Sequence, residues 1–350
     1  MMKRRLTKPV FVGKVQVGGG APVSVQSMTN TDTRDIPATI SQINELAAGG
    51  CQIIRVAVPD REAAEALPLI LKEINIPLIA DIHFDYRLAL AAIGAGVDGL
   101  RINPGNIGGR EKFKEVVAAA RERNVPIRIG VNAGSLEKEL LARDGGVTAA
   151  AMVESAVRHI KMLEELNYTS IKVSLKASDI PLMLESYRLL AGLTDYPFHI
   201  GVTEAGTIRY GTIKSAVGIG ILLNEGIGDT IRVSLTGDPR HEVRAGLDIL
   251  KSLGIRKRGV ELISCPTCGR TQIELVKIAE EVEEKLQGLD KPLKVAVMGC
   301  MVNGPGEARE ADIGIAGGKG VGIIFRKGKV IRKVVEAKLV EELLKEVELL

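Results

Sequence analysis

There is no tryptophan in this chain, and aromatic residues make up only 3% of its 350 residues. Proteins that bind single strands or RNA stack bases on aromatic side chains, so the composition argues against these functions. Charge is nearly balanced, with 47 basic and 43 acidic residues, and the net charge of +4 is too small to indicate a nucleic-acid-binding protein. The small excess is compatible with an anionic small molecule where basic groups converge.

Long apolar stretches are absent as well, because no segment approaches the ~20 consecutive apolar residues of a transmembrane helix. The basic start, MMKRRLTKPVFVGKVQVGG, has no continuous apolar stretch of the kind found in signal peptides. We therefore expect a cytoplasmic protein with no membrane partner. Thiols stay reduced in the cytoplasm, so the four cysteines indicate metal or redox chemistry rather than disulfides.

Short β-branched runs alternate with amphipathic helical segments from about residue 23 onward. Eight such runs occupy residues 23–28, 52–58, 77–83, 99–103, 126–132, 170–176, 198–204 and 230–236. Eight strands with intervening helices predict an α/β fold with an N-terminal (β/α)8 TIM barrel. An open doubly wound sheet is the alternative, but it typically has about six strands, and its dinucleotide-binding form needs an early GxGxxG turn. The early glycine cluster here precedes the first strand instead of following it.

The basic, glycine-bounded segment GIRKRG at residues 254–259 indicates a domain boundary. We expect a substrate-binding barrel over residues 1–255 and a small C-terminal α+β domain over residues 256–350. Strands of the second domain are predicted at residues 260–264, 293–299, 312–317, 320–329 and 330–334, and helices at 270–289 and 336–350. Three of the four cysteines lie in this second domain, close behind predicted strands.

Five of the eight barrel strands carry a cation near the end where barrel enzymes place their chemistry. These residues are Arg55, Arg101, Arg128, Lys176 and Arg232. Converging cations repel one another unless an anion lies between them, and arginine forks match phosphate oxygens, so a phosphorylated or diphosphorylated substrate is indicated. Alternatively, some of these side chains lie outside the barrel and pair with helix carboxylates.

Polar residues accompany these cations at the strand ends, among them Asn132 and Ser234. Glu204, next to Thr203, is a candidate proton donor or acceptor in such a cationic site, or a salt-bridge partner of the arginines. His83 follows Asp81 at i+2, so it is either a general acid or base or an ordinary histidine that is hydrogen-bonded to Asp81.

The segment SCPTCGR at residues 264–270 places Cys265 and Cys268 two residues apart, and Cys300 follows 32 residues later. A zinc ribbon needs a second pair, which is missing. Cys51 begins the second strand run at the opposite face of the barrel and is interpreted as a small buried hydrophobe. Three thiolates suit a cubane iron–sulfur cluster that leaves one iron free for other chemistry.

Glu307 follows Cys300 by seven residues, behind the Gly-Pro-Gly turn at residues 304–306. A turn there would bring the Glu307 carboxylate to the fourth iron. The alternatives are that Glu307 is a solvated surface residue or caps a short helix, and that the three cysteines are free thiols.

Taken together, eight segments resemble the bacterial 4-hydroxy-3-methylbut-2-enyl diphosphate synthases of the non-mevalonate isoprenoid pathway. They are VQSMTNTDT (25–33), ADIHFDYRLA (80–89), RINPGNIG (101–108), GVNAGSL (130–136), KVSLKASD (172–179), GVTEAG (201–206), SCPTCGRT (264–271) and GCMVNGPGEAREADIGIAGG (299–318). The resemblance runs from about residue 9 to about residue 330. The chain is too short for the large insert of the plant members, so it resembles the two-domain type.

The resemblance implies a [4Fe-4S] cluster held by Cys265, Cys268, Cys300 and Glu307. It implies an oxidoreductase that converts 2-C-methyl-D-erythritol 2,4-cyclodiphosphate to 1-hydroxy-2-methyl-2-butenyl 4-diphosphate, with loss of water and consumption of two electrons. Glu204 matches the family's proton-transferring carboxylate. The residues expected around the substrate are Arg55, Arg101, Arg128, Asn132, Lys176, Thr203, Arg232, Ser234 and Asn303.

The resemblance also points to a head-to-tail homodimer in which each cluster domain covers the partner's barrel, since the short GIRKRG segment leaves little slack for folding back. Ferredoxin or flavodoxin is expected as the electron donor, because no Rossmann fingerprint indicates direct binding of a nicotinamide cofactor. Two other functions compete with this interpretation. One is a sulfite- or nitrite-reductase-like enzyme, which would use four cysteines, and the other is a zinc-binding module on a barrel scaffold.

Overall fold

The computed structural model describes residues 3–103, 107–256, 259–289 and 291–350. Residues 104–106 of the RINPGNIG motif and residues 257 and 258 of the GIRKRG segment lie outside the described residues. The chain divides into two compact units, Met1–Arg256 and Lys257–Leu350, and each is described by itself. Every helix in the described part of the chain is too short or too polar to cross a membrane.

The first unit begins with a two-stranded antiparallel hairpin, β1 (Val10–Val12) and β2 (Val15–Val17), which the sequence analysis did not predict. The eight barrel strands follow as β3 (Ser24–Met28), β4 (Ile53–Ala57), β5 (Leu78–Asp81), β6 (Gly99–Ile102), β7 (Ile127–Asn132), β8 (Ile171–Lys176), β9 (His199–Ile200) and β10 (Thr230–Ile231). They are parallel neighbours in the order β8-β7-β6-β5-β4-β3-β10-β9.

The sheet closes on itself through a bridge between Val173 on β8 and Phe198, which precedes β9. The backbone N–H of Val173 also donates to the carbonyl oxygen of Pro197 at 3.0 Å. The predicted (β/α)8 barrel is therefore confirmed, and the open sheet is wrong. The predicted lengths of β9 and β10 are wrong, because each pairs over two residues and continues as irregular chain where runs of seven residues were expected.

Nine helices of the first unit are described: α1 (Ile36–Ala48), α2 (Arg61–Glu73), α3 (Tyr86–Ala95), α4 (Arg110–Glu122), α5 (Lys138–Asp144), α6 (Ala149–Glu164), α7 (Ile180–Ala191), α8 (Ile208–Asn224) and α9 (Pro239–Ser252). Aspartates begin several of them, as where the Asp60 carboxylate accepts from the backbone N–H of Ala63. Residues that favour helix ends follow two of them: Gly49-Gly50 ends α1, and Asn124, at φ +54°, lies just past the end of α4.

The two ends of the barrel interior differ in polarity. Near the strand starts, Val12 and Val17 of the hairpin pack against Ile53 and Ile79 in a small buried apolar cluster. Toward the carboxyl ends the inward positions are polar or charged, as at Arg55, which follows Ile53 at i+2 on the same face. The fold thus places its buried charges at the end where barrel sites lie.

The second unit is a five-stranded mixed sheet with helices, as predicted. Its elements are β11 (Glu261–Ser264), α10 (Leu275–Leu286), β12 (Lys294–Met298), the one-turn α11 (Gly304–Glu307), β13 (Ile313–Ala316), β14 (Val321–Arg326), β15 (Lys329–Val335) and α12 (Leu339–Glu348). β11, β12 and β13 run parallel, and β14 and β15 add antiparallel strands at one edge. The predicted start of the first helix at residue 270 is wrong, since the chain through the cysteine pair is irregular up to Leu275.

Candidate active site

All five predicted cations lie largely buried in the barrel. Arg128 is 1% exposed, Lys176 7%, and Arg55 and Arg101 8% each, while the Arg232 side chain is 14% exposed. Burial lowers the pKa of Arg128 well below its ordinary value, and the charges of Arg55 and Arg101 lower it further. Burial also lowers the pKa of Lys176, with further lowering by Arg128, Arg232 and Arg55. The structure therefore brings these cations together.

Asp81 is a built-in counter-ion for two of them. Its Oδ1 accepts a hydrogen bond from Arg101 Nη1 at 3.0 Å, and its Oδ2 lies 3.4 Å from Arg55 Nε. Burial alone would raise the pKa of Asp81, but Arg55, His83 and Arg101 outweigh it and hold the pKa far below its usual range. His83 lies at the exposed rim with its Nε2 3.5 Å from Asp81 Oδ1, which matches the hydrogen-bonded alternative for this residue.

Arg232 pairs with a helix carboxylate, as the alternative for these cations anticipated, yet it does so inside the barrel. Glu242 of α9 is buried, and its Oε2 lies 3.4 Å from Arg232 Nε. The same carboxylate accepts hydrogen bonds from the Ser27 hydroxyl at 3.1 Å and the Leu235 backbone N–H at 3.0 Å. Glu242 was not among the predicted site residues, because nothing in the local pattern of α9 shows that one of its carboxylates points inward.

Arg128 and Lys176 have no carboxylate at ion-pair distance among the described residues. The Nε and Nη1 atoms of Arg128 are buried with no hydrogen-bond partner in that part of the chain. A buried guanidinium group with unpartnered nitrogens is costly, and an anionic ligand would complete it. The lack of a side chain at Gly201 leaves room for Lys176 and for the backbone at Arg232. A Cβ at Gly201 would lie 3.1 Å from Lys176 Nζ and 2.2 Å from the Arg232 carbonyl oxygen.

The polar candidates lie at or just beyond the same strand ends. Asn132 closes β7 and pairs in register with Lys176, which closes β8. The backbone N–H of Thr203 donates to the carbonyl oxygen of Ala177 at 3.3 Å, so the chain after β9 lies beside the end of β8. Ser234 follows Arg232 at i+2 and is half-buried.

Glu204 has an unusual backbone conformation. Its φ is +50°, in the left-handed region that non-glycine residues rarely adopt, and its side chain is exposed. Holding a residue in this region costs on the order of 1 kcal/mol and is often associated with function. Glu204 follows β9 by four residues, at the carboxyl end of the barrel.

The three cysteines of the second unit lie at the carboxyl ends of two adjacent parallel strands. Cys265 follows β11 directly, and Cys300 follows β12 by two residues. The Cys265 Sγ accepts a hydrogen bond from the Gly299 backbone N–H at 3.2 Å. The Gln272 N–H donates to the Gly299 carbonyl oxygen at 3.1 Å, which ties the two cysteine-bearing loops together.

The electrostatics around Cys268 favour its thiolate. The backbone N–H of Arg270 donates to the thiol and lowers the Cys268 pKa; desolvation opposes this effect, and the Arg270 charge and Thr271 add to it. Cys268 is exposed, whereas Cys265 and Cys300 are half-buried. Such backbone donors to sulfur are typical of thiolates that bind metals.

Asn303 and Glu307 bound the one-turn helix α11, and the Glu307 side chain is exposed. Among the described residues, however, no three His, Cys, Asp or Glu side chains are gathered at metal-binding spacing. The four predicted ligands are therefore on neighbouring loops without being drawn into one shell. Cys51 is buried at 3% exposure before β4, and burial raises its pKa to about 11, which confirms its interpretation as a buried hydrophobe.

Two buried polar residues of the interior were missed by the sequence analysis, Lys172 and His199. Lys172 precedes Ser174 and Lys176 at i+2 spacing on β8, so strand alternation should have placed it on the inner face. His199 is the second residue of the predicted run 198–204 and gave no comparable signal. Both are at most 1% exposed.

The fold and site define an α/β-barrel protein with a buried cationic interior and a separate thiol-bearing α+β unit. The GcpE TIM-barrel domain matches residues 7–247, and the GcpE protein C-terminal domain matches residues 261–349. The chain therefore belongs to the GcpE family.

Curated relatives cover nearly the whole chain. A protein of Geobacter sulfurreducens, named 4-hydroxy-3-methylbut-2-en-1-yl diphosphate synthase (flavodoxin), is 66% identical over 342 residues, which cover 98% of this chain and 97% of the relative. A Clostridium perfringens protein of the same name is 62% identical over 347 residues, 99% of each chain. A solved N-acetylneuraminic acid synthetase from Leptospira borgpetersenii shares the fold, with a TM-score of 0.51 at 13% identity over 81% of this chain and 98% of that one.

Proposed function

We propose that this chain catalyses the reductive ring opening of 2-C-methyl-D-erythritol 2,4-cyclodiphosphate to 1-hydroxy-2-methyl-2-butenyl 4-diphosphate, with loss of water and consumption of two electrons. The observation that carries this proposal is the 66% and 62% identity, over nearly the whole chain, to two relatives that bear the synthase name. The buried cations of the barrel support it, since converging basic groups with unpartnered donors suit a diphosphate.

In this proposal the diphosphate occupies the space between Arg55, Arg101, Arg128, Lys176 and Arg232, where buried donors lack partners. Asp81 and Glu242 hold three of the arginines in place, so the donors are already oriented before the substrate arrives. Asn132, Thr203, Ser234 and Asn303 provide neutral hydrogen-bonding groups around the same substrate.

Glu204 is proposed as the residue that moves a proton. Its carboxylate projects from a strained backbone position beside Thr203. Loss of the substrate oxygen as water needs a proton at that oxygen, and a carboxyl group at the rim of the cationic site can deliver it.

The thiolates of Cys265, Cys268 and Cys300 would hold a [4Fe-4S] cluster, with Glu307 as the fourth ligand. The donor set fits such a cluster, because backbone N–H groups already point at Cys265 Sγ and at the Cys268 thiol. When bound there, the cluster supplies electrons and one iron with a displaceable oxygen ligand. The protein contributes the thiolates and the two joined loops that carry them.

Flavodoxin is the proposed electron donor, since the relatives carry that word in their names, and ferredoxin is the alternative. We also propose a cytoplasmic head-to-tail homodimer in which the cluster domain of one copy serves the barrel of the other. Exposed apolar side chains on α8, Tyr210, Ile213 and Val217, support association between copies. The dimer is tested by mixing a Cys300→Ala subunit with a Glu204→Gln subunit. Shared sites predict partial recovery of activity, and no recovery would contradict them.

The cluster is tested by anaerobic purification followed by an absorption spectrum and iron and sulfide analysis. An iron–sulfur cluster gives a brown protein that bleaches on reduction, with iron and sulfide in equal amounts. A colourless protein that contains zinc would favour the zinc-binding module instead.

A further inference from the structure

Lys172 is a buried basic residue of the barrel interior that has no counter-ion among the described residues. It lies on the inner face of β8, is 1% exposed, and its Nζ has no hydrogen-bond partner among the described residues. It pairs in register with Arg128 on β7, which is equally buried. Two cationic side chains thus lie side by side on adjacent strands below the strand ends, with no carboxylate of the described chain at ion-pair distance from either.

The surroundings of Lys172 are polar but offer no negative charge. Arg128 faces it from β7, Lys176 lies on the same face of β8, and His199 lies on β9. His199 is also buried, and neither of its ring nitrogens has a partner in the described residues.

Helices α6 and α7, which pack outside β8, do not supply a counter-ion either. The Tyr187 hydroxyl of α7 donates to the His199 carbonyl oxygen at 2.7 Å and accepts from the Leu175 N–H at 3.0 Å, so it is satisfied by backbone groups. His159 of α6 lies 3.5 Å from Glu137. The interior carboxylates Asp81 and Glu242 pair with Arg55, Arg101 and Arg232.

Of Lys172 and Arg128, only Lys172 can lose its proton near neutral pH, because a guanidinium stays protonated in proteins. Burial lowers the pKa of Lys172 to about 7, and the Arg128 charge adds to this effect. A diphosphate above Arg128 would reverse the balance, since a nearby anion favours the ammonium form.

We infer that Lys172 is a positioning residue that takes up a proton from solvent when the diphosphate binds, and so matches the charge of the barrel interior to that of its ligand. The inference rests on the proposed function, because it needs an anionic substrate next to Arg128. The proton adds to the free electron pair of the Lys172 amine, and no bond of the substrate breaks. Lys172 acts through Arg128, which it holds against the anion once both are charged.

Proton uptake makes binding depend on pH. Below the pKa of Lys172 in the substrate-free protein, the ammonium is already present. Above that pKa the proton must be taken from solvent, so the substrate binds more weakly as pH rises. Linkage predicts that Kd rises roughly tenfold between pH 6 and pH 8. The cyclic diphosphate does not obscure this trend, because each of its phosphorus atoms carries one strongly acidic oxygen and does not titrate near neutrality.

The test is isothermal titration calorimetry on the anaerobic holoenzyme without reductant, so that 2-C-methyl-D-erythritol 2,4-cyclodiphosphate binds without turnover. Titrations at pH 8 in two buffers of different ionisation enthalpy measure the protons taken up. We expect the wild type to take up about one proton more than Lys172→Met. His199→Gln is the matched control and should retain the wild-type proton uptake. Lys176→Met measures how much of that uptake comes from Lys176.

Lys172→Arg gives a second readout that a purely structural role would not move. Its permanent charge should abolish the uptake while leaving binding at pH 8 as tight as wild-type binding at pH 6. Equal uptake in the wild type and Lys172→Met, or a wild-type Kd that does not change between pH 6 and pH 8, would overturn the inference. Failure of the wild type to bind the cyclic diphosphate at either pH would instead overturn the proposed function.

Discussion

The barrel interior and the cysteine loops hold their functional groups in opposite ways. Arg128 and Lys172 are 1% exposed and are held on paired strands, whereas Cys268 is exposed on an irregular loop. Side chains on paired strands cannot move apart, so the barrel holds its basic groups in place before any ligand arrives. The thiols lie on loops that hydrogen bonds join, but the described residues do not gather them into a ligand shell. The barrel is therefore pre-organised for binding, whereas the proposed cluster would have to draw the cysteine loops together.

The largest expected effect concerns the cysteine loops. Cys265→Ala should abolish the cluster and all activity, because Cys265 is one of three thiolates and its Sγ also accepts the Gly299 N–H that joins the loops. Iron and sulfide analysis of the anaerobically purified variant measures the loss. Cys51→Ala is the control, since Cys51 is buried in the barrel and should keep a full complement of iron. Wild-type iron content in Cys265→Ala would remove this residue from the ligand set.

The next largest effect concerns the barrel rim. Glu204→Gln keeps the size of the side chain and removes its proton, so kcat should fall about 10²–10⁴-fold, the usual contribution of a general acid or base. Steady-state kinetics with a chemical reductant measures the change, and an unchanged absorption spectrum would show that the cluster is intact. A kcat within a factor of a few of the wild type would favour a salt-bridge role.

A smaller effect on the cluster is expected at its fourth ligand. Glu307→Ala should weaken the cluster without removing it, because three thiolates remain and Glu307 is exposed at the end of a single helical turn. The loss of iron over time in the presence of a chelator, compared with the wild type, measures the effect. Glu310→Ala is the control, because it removes another exposed carboxylate three residues further along the chain. Identical iron content and chelation rate in Glu307→Ala and the wild type would make the ligand role doubtful.

The smallest expected effect is on the pH dependence of stability. It arises from Lys172 in the barrel and not from the cysteine loops. The unfolded chain keeps Lys172 protonated up to its ordinary pKa of 10.5, whereas the folded barrel lowers that pKa to about 7. The unfolded state therefore binds more protons above pH 7, and the free energy of unfolding should rise as pH increases from 7 to 9.

Lys172→Met should flatten this rise and stabilise the barrel by ~1–3 kcal/mol at neutral pH, since it replaces a buried donor without a partner by an apolar side chain. Calorimetric melting of the ligand-free protein at several pH values checks both outcomes. Lys161→Met, on the exposed face of α6, controls for loss of one charge. A wild-type Tm that does not rise with pH relative to Lys172→Met would contradict the lowered pKa.

The same contrast explains which features could be predicted from the sequence. Strands β3 to β8 were located to within a residue or two, because buried parallel strands read as continuous β-branched runs. Four of the five cations could be predicted from their place toward the carboxyl ends of the strands, whereas Arg128 is the second residue of β7 and lies below that end. β9 and β10 were overestimated because residues 201–204 and 232–236 keep a strand-like composition while the chain leaves the sheet.

Features that depend on contacts between distant segments could not be predicted. Glu242 reaches Arg232 from the helix that follows, and Val12 packs on Ile79 from a hairpin before the first strand. The backbone strain at Glu204 is a property of the folded loop, with no trace in the residue type. The cysteine spacing indicated the kind of site, but the hydrogen bond from Gly299 to Cys265 comes from the pairing of β11 with β12.

The central claim is that this chain reduces a cyclic diphosphate with the charges and thiols described above. It is tested most directly by incubating the anaerobically purified protein and a strong reductant with 2-C-methyl-D-erythritol 2,4-cyclodiphosphate and following the phosphorus NMR spectrum. We predict that the signals of the ring diphosphate disappear and those of the linear 1-hydroxy-2-methyl-2-butenyl 4-diphosphate replace them, with no conversion by Cys265→Ala. An unchanged substrate spectrum with cluster-loaded wild-type protein would contradict the claim.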